Sequence, residues 1–268
     1  MKIPFTKAHG ARNNFLLTWR DQLPSSLTEF ADVAVAICER YTGVGADGWL
    51  LVSPGDGETQ AAIELWNSDG SRSEISGNGT RCAAALLVDS GLASDDVRIT
   101  TGAGPKHLRL LSRSGRSFSF EMNMGAARVE ELRASIEDRD CVILNVGNPQ
   151  CAFFVEHFDF EWQALGARVE RHPRFPKRTN VSFVKVTDRH TLDVRFFERG
   201  AGETMSSGTG STGAAAAALA RGFVESPVRV LTPAGPLDLR WENEAILLAG
   251  PAELVANGEY FWKGNESA

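Results

Sequence analysis

The sequence predicts an α/β (α+β) fold of two pseudo-symmetric domains, each a mostly antiparallel sheet or barrel wrapped around a central helix. Three observations predict it. Ser206-Ser207-Gly208-Thr209-Gly210-Ser211-Thr212-Gly213 opens into five alanines and Leu219, so small and hydroxyl residues run straight into the strongest helix former. Upstream, Ser76-Gly77-Asn78-Gly79-Thr80-Arg81-Cys82 opens into three alanines, Leu86 and Leu87. The spacing between the two is constant: 76 + 131 = 207 carries Ser76 to Ser207, and the same step carries Gly77 to Gly208, Gly79 to Gly210 and Asn67 to Glu198. An internal repeat of that size implies two like domains related by a pseudo-two-fold axis.

The elements follow in chain order. Residues 3–7 and 15–19 read as short strands flanking a polar loop, 9–14. Thr28 to Arg40 reads as a helix with an apolar stripe through Phe30, Val33, Ala34 and Ile37. Gly43 to Gly48 is a glycine loop that opens the strand Trp49 to Val52. Because it follows a helix and opens a strand, it is not a dinucleotide fingerprint. Ala61 to Trp66 is a strand ending in the turn Asn67-Ser68-Asp69-Gly70-Ser71. Ser76 to Ser90 is the first glycine-opened helix. Strands at 97–101, 107–112 and 117–124 follow, with turns at 102–105 and 114–115.

The pattern restarts near 116–130. Strands are expected at 142–146 and 151–155 around Gly147-Asn148-Pro149-Gln150, then a helix at 162–170. Strands at 181–186 and 191–197 lead to Glu198-Arg199-Gly200-Ala201-Gly202-Glu203. After the second glycine-opened helix come strands at 228–231, 237–241, 245–249, 253–256 and 259–262. The expected domains are 1–116, with the C-terminal strand near 257–268 a candidate to complete it, and 117–256.

The chain has 268 residues, a size comfortable for two domains. Net charge is −6, and no basic tract interleaved with aromatics appears. Nucleic acid and membranes are therefore not expected partners. No apolar run approaches the roughly 18 residues of a membrane span, and Met1 to Phe5 lacks the apolar core of a signal peptide. Cys38, Cys82, Cys141 and Cys151 have no zinc spacing and read as buried thiols of a cytoplasmic protein. No metal or cofactor motif is expected.

A helix N-terminus presents unpaired N–H groups and a positive dipole end, which together favour an anion. Two such ends facing each other across a cleft between the domains are expected to cradle a carboxylate. One side chain from each half then flanks the adjacent carbon, the geometry of stereoinversion at a single carbon. A helix N-terminus also favours a thiolate at its cap, so the architecture asks for cysteine at positions where this chain has Ser76 and Ser207.

Motifs in most of the chain carry a resemblance. They are Lys7 to Phe15, Gly43 to Gly48, Asn67 to Ser71, Gly77 to Cys82, Gly147-Asn148-Pro149, Asn180 to Phe183, Glu198 to Thr204, and Gly208-Thr209-Gly210. In that order and spacing they resemble the diaminopimelate epimerase family, whose two-domain fold is shared with proline racemases. The resemblance implies a cofactor-independent isomerase of an amino acid, with L,L-/meso-diaminopimelate the leading substrate, and a homodimer. It implies that Gly77, Asn78, Gly208 and Thr209 hold the α-carboxylate through backbone N–H groups. Asn13, Asn67, Asn148, Asn180 and Arg199 would hold the rest of the substrate, with the arginine forking onto a second carboxylate. Glu198 would act at the reacting centre. For the asparagines, turn chemistry is the plain alternative.

The departures are specific. Ser76 and Ser207 stand in the family's cysteine positions, Gln150 stands where the family has histidine, and Asn14 where it has aspartate. Ser206, Ser211, Thr212 and Gly213 also depart from the family's setting. A hydroxyl is a far weaker base than a thiol unless a neighbour activates it. Three accounts stay open: engineered cysteine-to-serine changes, a natural member with altered chemistry, and a silent amino-acid-binding homologue. The companion changes argue against the first. Altered chemistry includes a racemase, isomerase or dehydratase of another substrate. A serine hydrolase would need a histidine or lysine partner, and His107, His157, His172 and His190 lie outside the matched motifs.

Overall fold

The computed structural model describes residues 1–264, so the last four residues of the expected strand near 257–268 lie outside them. The chain forms two compact units. The first is Met1–Phe120 together with the described residues from Pro251 onward, and the second is Glu121–Gly250. The divisions therefore fall at 120/121 and 250/251 rather than at 116/117 and 256/257. Both fall inside strands, so no loop, proline cluster or change of composition marks them.

In the first unit, β1 (Lys2–Gly10), β2 (Asn13–Trp19), α1 (Phe30–Cys38), β3 (Gly48–Pro54), β4 (Ala61–Asn67), β5 (Arg72–Ser73), α2 (Gly77–Asp89), β6 (Asp96–Thr101) and β7 (Gly104–Ser114) follow in order, and β8 (Ser117–Gly125) leads out. β1 and β2 form a hairpin, β2 runs parallel to β3, β3 antiparallel to β4, β4 parallel to β6, and β6 antiparallel to β7.

The second unit repeats this order with β9 (Arg128–Ile136), β10 (Arg139–Asn145), β11 (Pro149–Phe154), α3 (Trp162–Glu170), β12 (Asn180–Asp188), β13 (Thr191–Glu198), β14 (Gly202–Thr204), α4 (Gly208–Ala220), β15 (Val228–Thr232) and β16 (Gly235–Glu242). β10 and β11 form a hairpin, β11 runs parallel to β12, β12 antiparallel to β13, β13 parallel to β15, and β15 antiparallel to β16. The same alternation of parallel and antiparallel pairings is the structural form of the repeat. Most pairings are antiparallel, as expected, and the parallel ones are bridged by chain that includes α1, α2, α3 and α4.

Helices α2 and α4 are the centre of their units. Each has 13 residues, and the first 11 of each are buried. α2 packs on β1, β2, β3, β4 and β6, and α4 packs on β9 to β13, β15 and β16. A helix buried on every side needs small residues where strands crowd it, which is why alanine and glycine dominate. Their ends match as well. Ser76 and Ser207 are extended caps, and both helices close on a residue in the right-handed region before a left-handed glycine, Gly91 and Gly222. α1 and α3 lie to the outside and bury Val33, Ala34, Ile37 and Cys38 in one cluster and Trp162, Leu165 and Val169 in another.

Three expectations are corrected. The loop expected at 9–14 is a tight hairpin turn with Ala11 and Arg12 both at positive φ, so β1 and β2 extend through it. Gln150 is not in a turn but in β11, paired with Leu144 and Asn180. The three late strands at 245–262 are one, β17 (Ala245–Phe261), which pairs with β16 up to Ala249 and with β1 from Glu253 on. Gly250-Pro251 reads as a break, but the strand passes through it. β5, β9 and β14 were not expected, the first and last because two or three residues carry no periodicity, and β9 because most of its residues are exposed.

Candidate functional site

Each central helix begins with the same capping geometry. Ser76 Oγ accepts from Gly79 N–H at 3.1 Å, and Ser207 Oγ accepts from Gly210 N–H at 2.9 Å. The first helical bonds run from Thr80 N to Ser76 O and from Ser211 N to Ser207 O. Gly77 and Asn78, and likewise Gly208 and Thr209, precede those bonds, so the helix itself offers their N–H groups no acceptor. These four buried positions are the ones the resemblance assigns to a carboxylate.

In the first unit, a chain of amides runs to the mouth of α2. Asn78 Nδ2 donates to Asn13 Oδ1 at 3.1 Å, and Asn13 Nδ2 donates to Asp47 Oδ2 at 2.9 Å. Asp47 also accepts from Asn14 N and Nδ2 at 2.8 and 3.1 Å. Asn14 thus adds a donor to Asp47. Gly10 lets the strand approach: a Cβ there would lie 3.2 Å from Asn78 Cα. Asn67 is tied to its own turn, Nδ2 donating to Ser71 Oγ at 3.0 Å, which is the turn chemistry open to it.

Arg81 is fully buried beneath this mouth. Its Nη2 donates to Asn78 Oδ1, its Nε donates to Pro251 O at 3.1 Å, and its Nη1 has no hydrogen-bond partner. Burial lowers its pKa to about 10 and raises that of the neighbouring Cys82 thiol to about 12, so this thiol is held protonated.

In the second unit, the cap carries a carboxylate. Ser207 Oγ–H donates to Glu198 Oε1 at 2.6 Å, and Thr204 Oγ1–H donates to Glu198 Oε2 at 2.7 Å. Glu198 ends β13 and Thr204 ends β14, so a three-residue strand sets the second donor. Gln150 Nε2 donates to Asn148 Oδ1 at 2.7 Å, and Asn148 Nδ2 donates to Thr209 Oγ1 at 3.3 Å. Gln150 is 1% exposed, and its Oε1 has no partner. Its side chain lies where a larger residue 213 would be: a Cβ on Gly213 would sit 3.0 Å from Gln150 Cγ. The departures at 150 and 213 therefore fit each other sterically. Asn180 Nδ2 donates to Pro149 O at 3.1 Å, and its Oδ1 accepts from Arg199 N at 3.0 Å. Arg199 Nη1 donates to Lys177 O at 3.1 Å.

The structure thus brings Asn13 and Asn78 together in one unit, and Glu198 with Ser207, Asn148 with Gln150 and Thr209, and Asn180 with Arg199 in the other. It does not tie Asn67 to Ser76. Asp47, Arg81 and Thr204 were missed as supporting residues, although all three lie inside motifs that carry the resemblance.

Gly210 is a tight position. A Cβ there would lie 2.7 Å from Phe196 Cδ1 and 2.9 Å from Ser207 Cβ. Gly210→Ala is expected to cost about 2 kcal/mol through overpacking and to displace Ser207. A lowered thermal midpoint, with lowered turnover at temperatures where the variant stays folded, checks both effects.

A family model described as "Diaminopimelate epimerase" matches residues 5–130 and 142–255. A diaminopimelate epimerase of Pelotomaculum thermopropionicum is 36% identical over 275 residues, 96% of this chain and 98% of that protein. That of Nostoc punctiforme is 35% identical over 97% of this chain and 100% of its own. Among solved structures, a probable proline racemase from Agrobacterium radiobacter K84 superposes with a TM-score of 0.78 at 16% identity, covering 99% of this chain and 94% of its own. A hydroxyproline epimerase from Agrobacterium vitis, with bound trans-4-hydroxy-L-proline, gives 0.73 at 16% identity over 96% and 92%.

Proposed function

We propose, because the chain belongs to the diaminopimelate epimerase family, that it is a cofactor-independent isomerase acting at the α-carbon of an amino acid, diaminopimelate first. The observation that carries the reading is the Ser207–Glu198 hydrogen bond at the first turn of α4. It gives a poor base a carboxylate partner, beside N–H groups suited to an anion.

Losing an α-proton leaves negative charge on the substrate's carboxylate. Donors set where that charge develops stabilise it more than they stabilise the substrate. Gly208 and Thr209 N–H at the first turn of α4 are proposed to be such donors, and Gly77 and Asn78 N–H at the first turn of α2 are proposed likewise. Asn148 and Asn13 hold the first-turn side chains of Thr209 and Asn78 in place. Asn67, Asn180 and Arg199 are proposed to hold the distal part of the substrate, with Arg199 pairing a second carboxylate. Gln150 cannot ionise and so is proposed to orient rather than to transfer a proton.

The test is proton exchange. Purified protein is incubated in D₂O with L,L- and meso-diaminopimelate and a panel of other amino acids, and α-proton signals are followed by NMR. Loss of the signal from diaminopimelate is expected. Loss only from another amino acid would reassign the substrate. Tight binding without exchange in any arm would identify a silent binding protein.

A further inference from the structure

We infer that Glu170 and Arg178 are positioning residues: their ion pair holds the loop 171–179 in the shape that sets Asn180 and Arg199 for the distal end of the substrate. The inference rests on the role proposed above for those two residues and deepens it. Every residue of this arrangement belongs to the second unit.

Glu170 ends α3 and is 1% exposed. A carboxylate so buried is costly unless cations and donors answer it. Arg178 Nη2 pairs with its Oε1, and Arg171 Nε donates to its Oε2 at 3.2 Å. The Arg171 side chain is 75% exposed and that of Arg178 34%, so Arg178 is the partner better shielded from water. Helix packing explains the burial. Gly166 lies one turn earlier on the same face of α3, and a Cβ there would lie 2.7 Å from Phe197 Cβ. The face that carries Glu170 is thus pressed on β13, the strand that leads to Arg199.

The pair acts on a strained residue. Arg178 has φ 61, a left-handed conformation that is costly for a residue with a Cβ and open to glycine. Arg178 N–H donates to Phe175 O at 2.8 Å, and Thr179 N–H donates to Glu170 O at 3.2 Å. Glu170 therefore takes the Arg178 guanidinium with its side chain and the next N–H with its carbonyl. The residues on either side of this stretch hold Arg199. Lys177 O accepts from Arg199 Nη1 at 3.1 Å, and Asn180 Oδ1 accepts from Arg199 N at 3.0 Å. An arginine presents its fork to a carboxylate only when the guanidinium plane is set. Without the ion pair, Arg178 is released toward an ordinary φ. That rotation turns the peptide between Lys177 and Arg178 and takes Lys177 O away from Arg199.

The repeat shows what the pair adds. The step 39 + 131 = 170 carries Glu39, which closes α1, to Glu170. Glu39 accepts from the N–H groups of Tyr41 and Thr42, two and three residues on. Glu170 instead reaches across its whole loop to Arg178. A carboxylate can close such a loop on backbone N–H groups, so the buried pair at 170 and 178 is additional to closing it.

Diaminopimelate and lysine separate positioning from general folding, because lysine is diaminopimelate without its second carboxylate. KM and kcat are measured for α-proton exchange with diaminopimelate, and Kd for both ligands by calorimetry. Glu170→Gln is expected to raise KM and Kd for diaminopimelate about tenfold, with kcat within about twofold and Kd for lysine little changed. Glu170→Gln with Arg178→Gly removes both charges and supplies a residue that takes φ 61 freely. That double variant is expected to stay folded, read by its thermal midpoint, and still to bind diaminopimelate about tenfold more weakly. Arg178→Lys, which keeps the cation, is expected to weaken binding no more than about threefold. Arg199→Ala sets the ceiling, and adding Glu170→Gln to it is expected to weaken binding no further, since the pair acts through Arg199. Equal weakening for diaminopimelate and lysine would overturn the inference. So would a fall in kcat with KM unchanged, or additive losses on top of Arg199→Ala. Binding without exchange would overturn the isomerase reading, and the Kd values would still decide the inference. No binding of diaminopimelate to the unaltered protein would overturn both.

Discussion

Cysteine at both helix caps, Ser76→Cys with Ser207→Cys, is expected to raise inversion of diaminopimelate about a thousandfold. The argument is one of proton affinity. A free thiol with a pKa near 8.5 is already a few per cent thiolate at neutral pH, and a helix N-terminus lowers its pKa further. A serine hydroxyl stays protonated and relies wholly on a partner; Ser207 has Glu198, whereas among the described residues no carboxylate or imidazole bonds Ser76. A well-placed general base contributes about 10²- to 10⁴-fold, and the double variant supplies one at each helix cap. The scaffold around the thiols is already present, because Gly79 and Gly210 N–H and the Asn13–Asn78 and Asn148–Thr209 bonds do not depend on the serines' chemistry. Each cap loses an oxygen acceptor, at a cost of about 1 kcal/mol in stability. Separate single variants sharpen the result. Ser76→Cys alone is expected to raise inversion more than Ser207→Cys alone, because Ser207 already has a carboxylate partner. Initial rates of inversion by chiral chromatography decide it, and unchanged rates in the double variant would show that the substrate is not diaminopimelate.

How much of this was legible in the sequence depends on the length scale of the signal. The repeat was visible because two glycine-opened alanine helices recur at a fixed step, and the structure shows matching helices of 13 residues with matching caps. The pairing of Asn67 with Glu198 was visible as arithmetic. What that pairing means was not, because spacing does not say that Glu198 turns to Ser207 while Asn67 turns to Ser71. Side-chain direction at a strand end depends on the turn that follows, and the two turns differ: the second contains β14, whose Thr204 fixes Glu198. Asp47 was hidden for a similar reason. It sits in a glycine loop that reads as a connector, yet it gathers Asn13 and Asn14 from a strand 33 and 34 residues away. Pro251 falls between the strands expected at 245–249 and 253–256. Its lack of an N–H is harmless to the ladder at that point, and its carbonyl is what Arg81 needs.

Arg81 carries the second large expectation. Its side chain is 0% exposed, and burial, opposed by the neighbouring Cys82, pulls its pKa from 12.5 to about 10. A shift of that order corresponds to about 3 kcal/mol against the charged form, so the guanidinium is costly where it stands. It is retained by what it holds. Nη2 bonds Asn78 Oδ1, and Nε bonds the Pro251 carbonyl, 170 residues away in sequence, which ties α2 to the returning C-terminal strand of the same unit. Arg81→Ala removes the costly charge but takes one donor from Asn78 Oδ1 and one from the part-buried Pro251 carbonyl, at about 1–3 kcal/mol each, and leaves a cavity the length of the side chain. The losses outweigh the relief, and a net destabilisation of about 3 kcal/mol is expected. Arg81→Met fills most of the volume and sheds the charge, so only the two acceptors are lost against the same relief, and it is expected to cost about 1 kcal/mol. Urea denaturation with both variants reads the difference. If Arg81→Met were as damaging as Arg81→Ala, the hydrogen bonds rather than the volume would dominate. If neither were destabilising, the cost of burying the charge would outweigh everything the side chain holds. In either variant Asn78 keeps its bond to Asn13 but loses the one from Arg81 at the first turn of α2, so KM for the amino acid is expected to rise even where the unit remains folded.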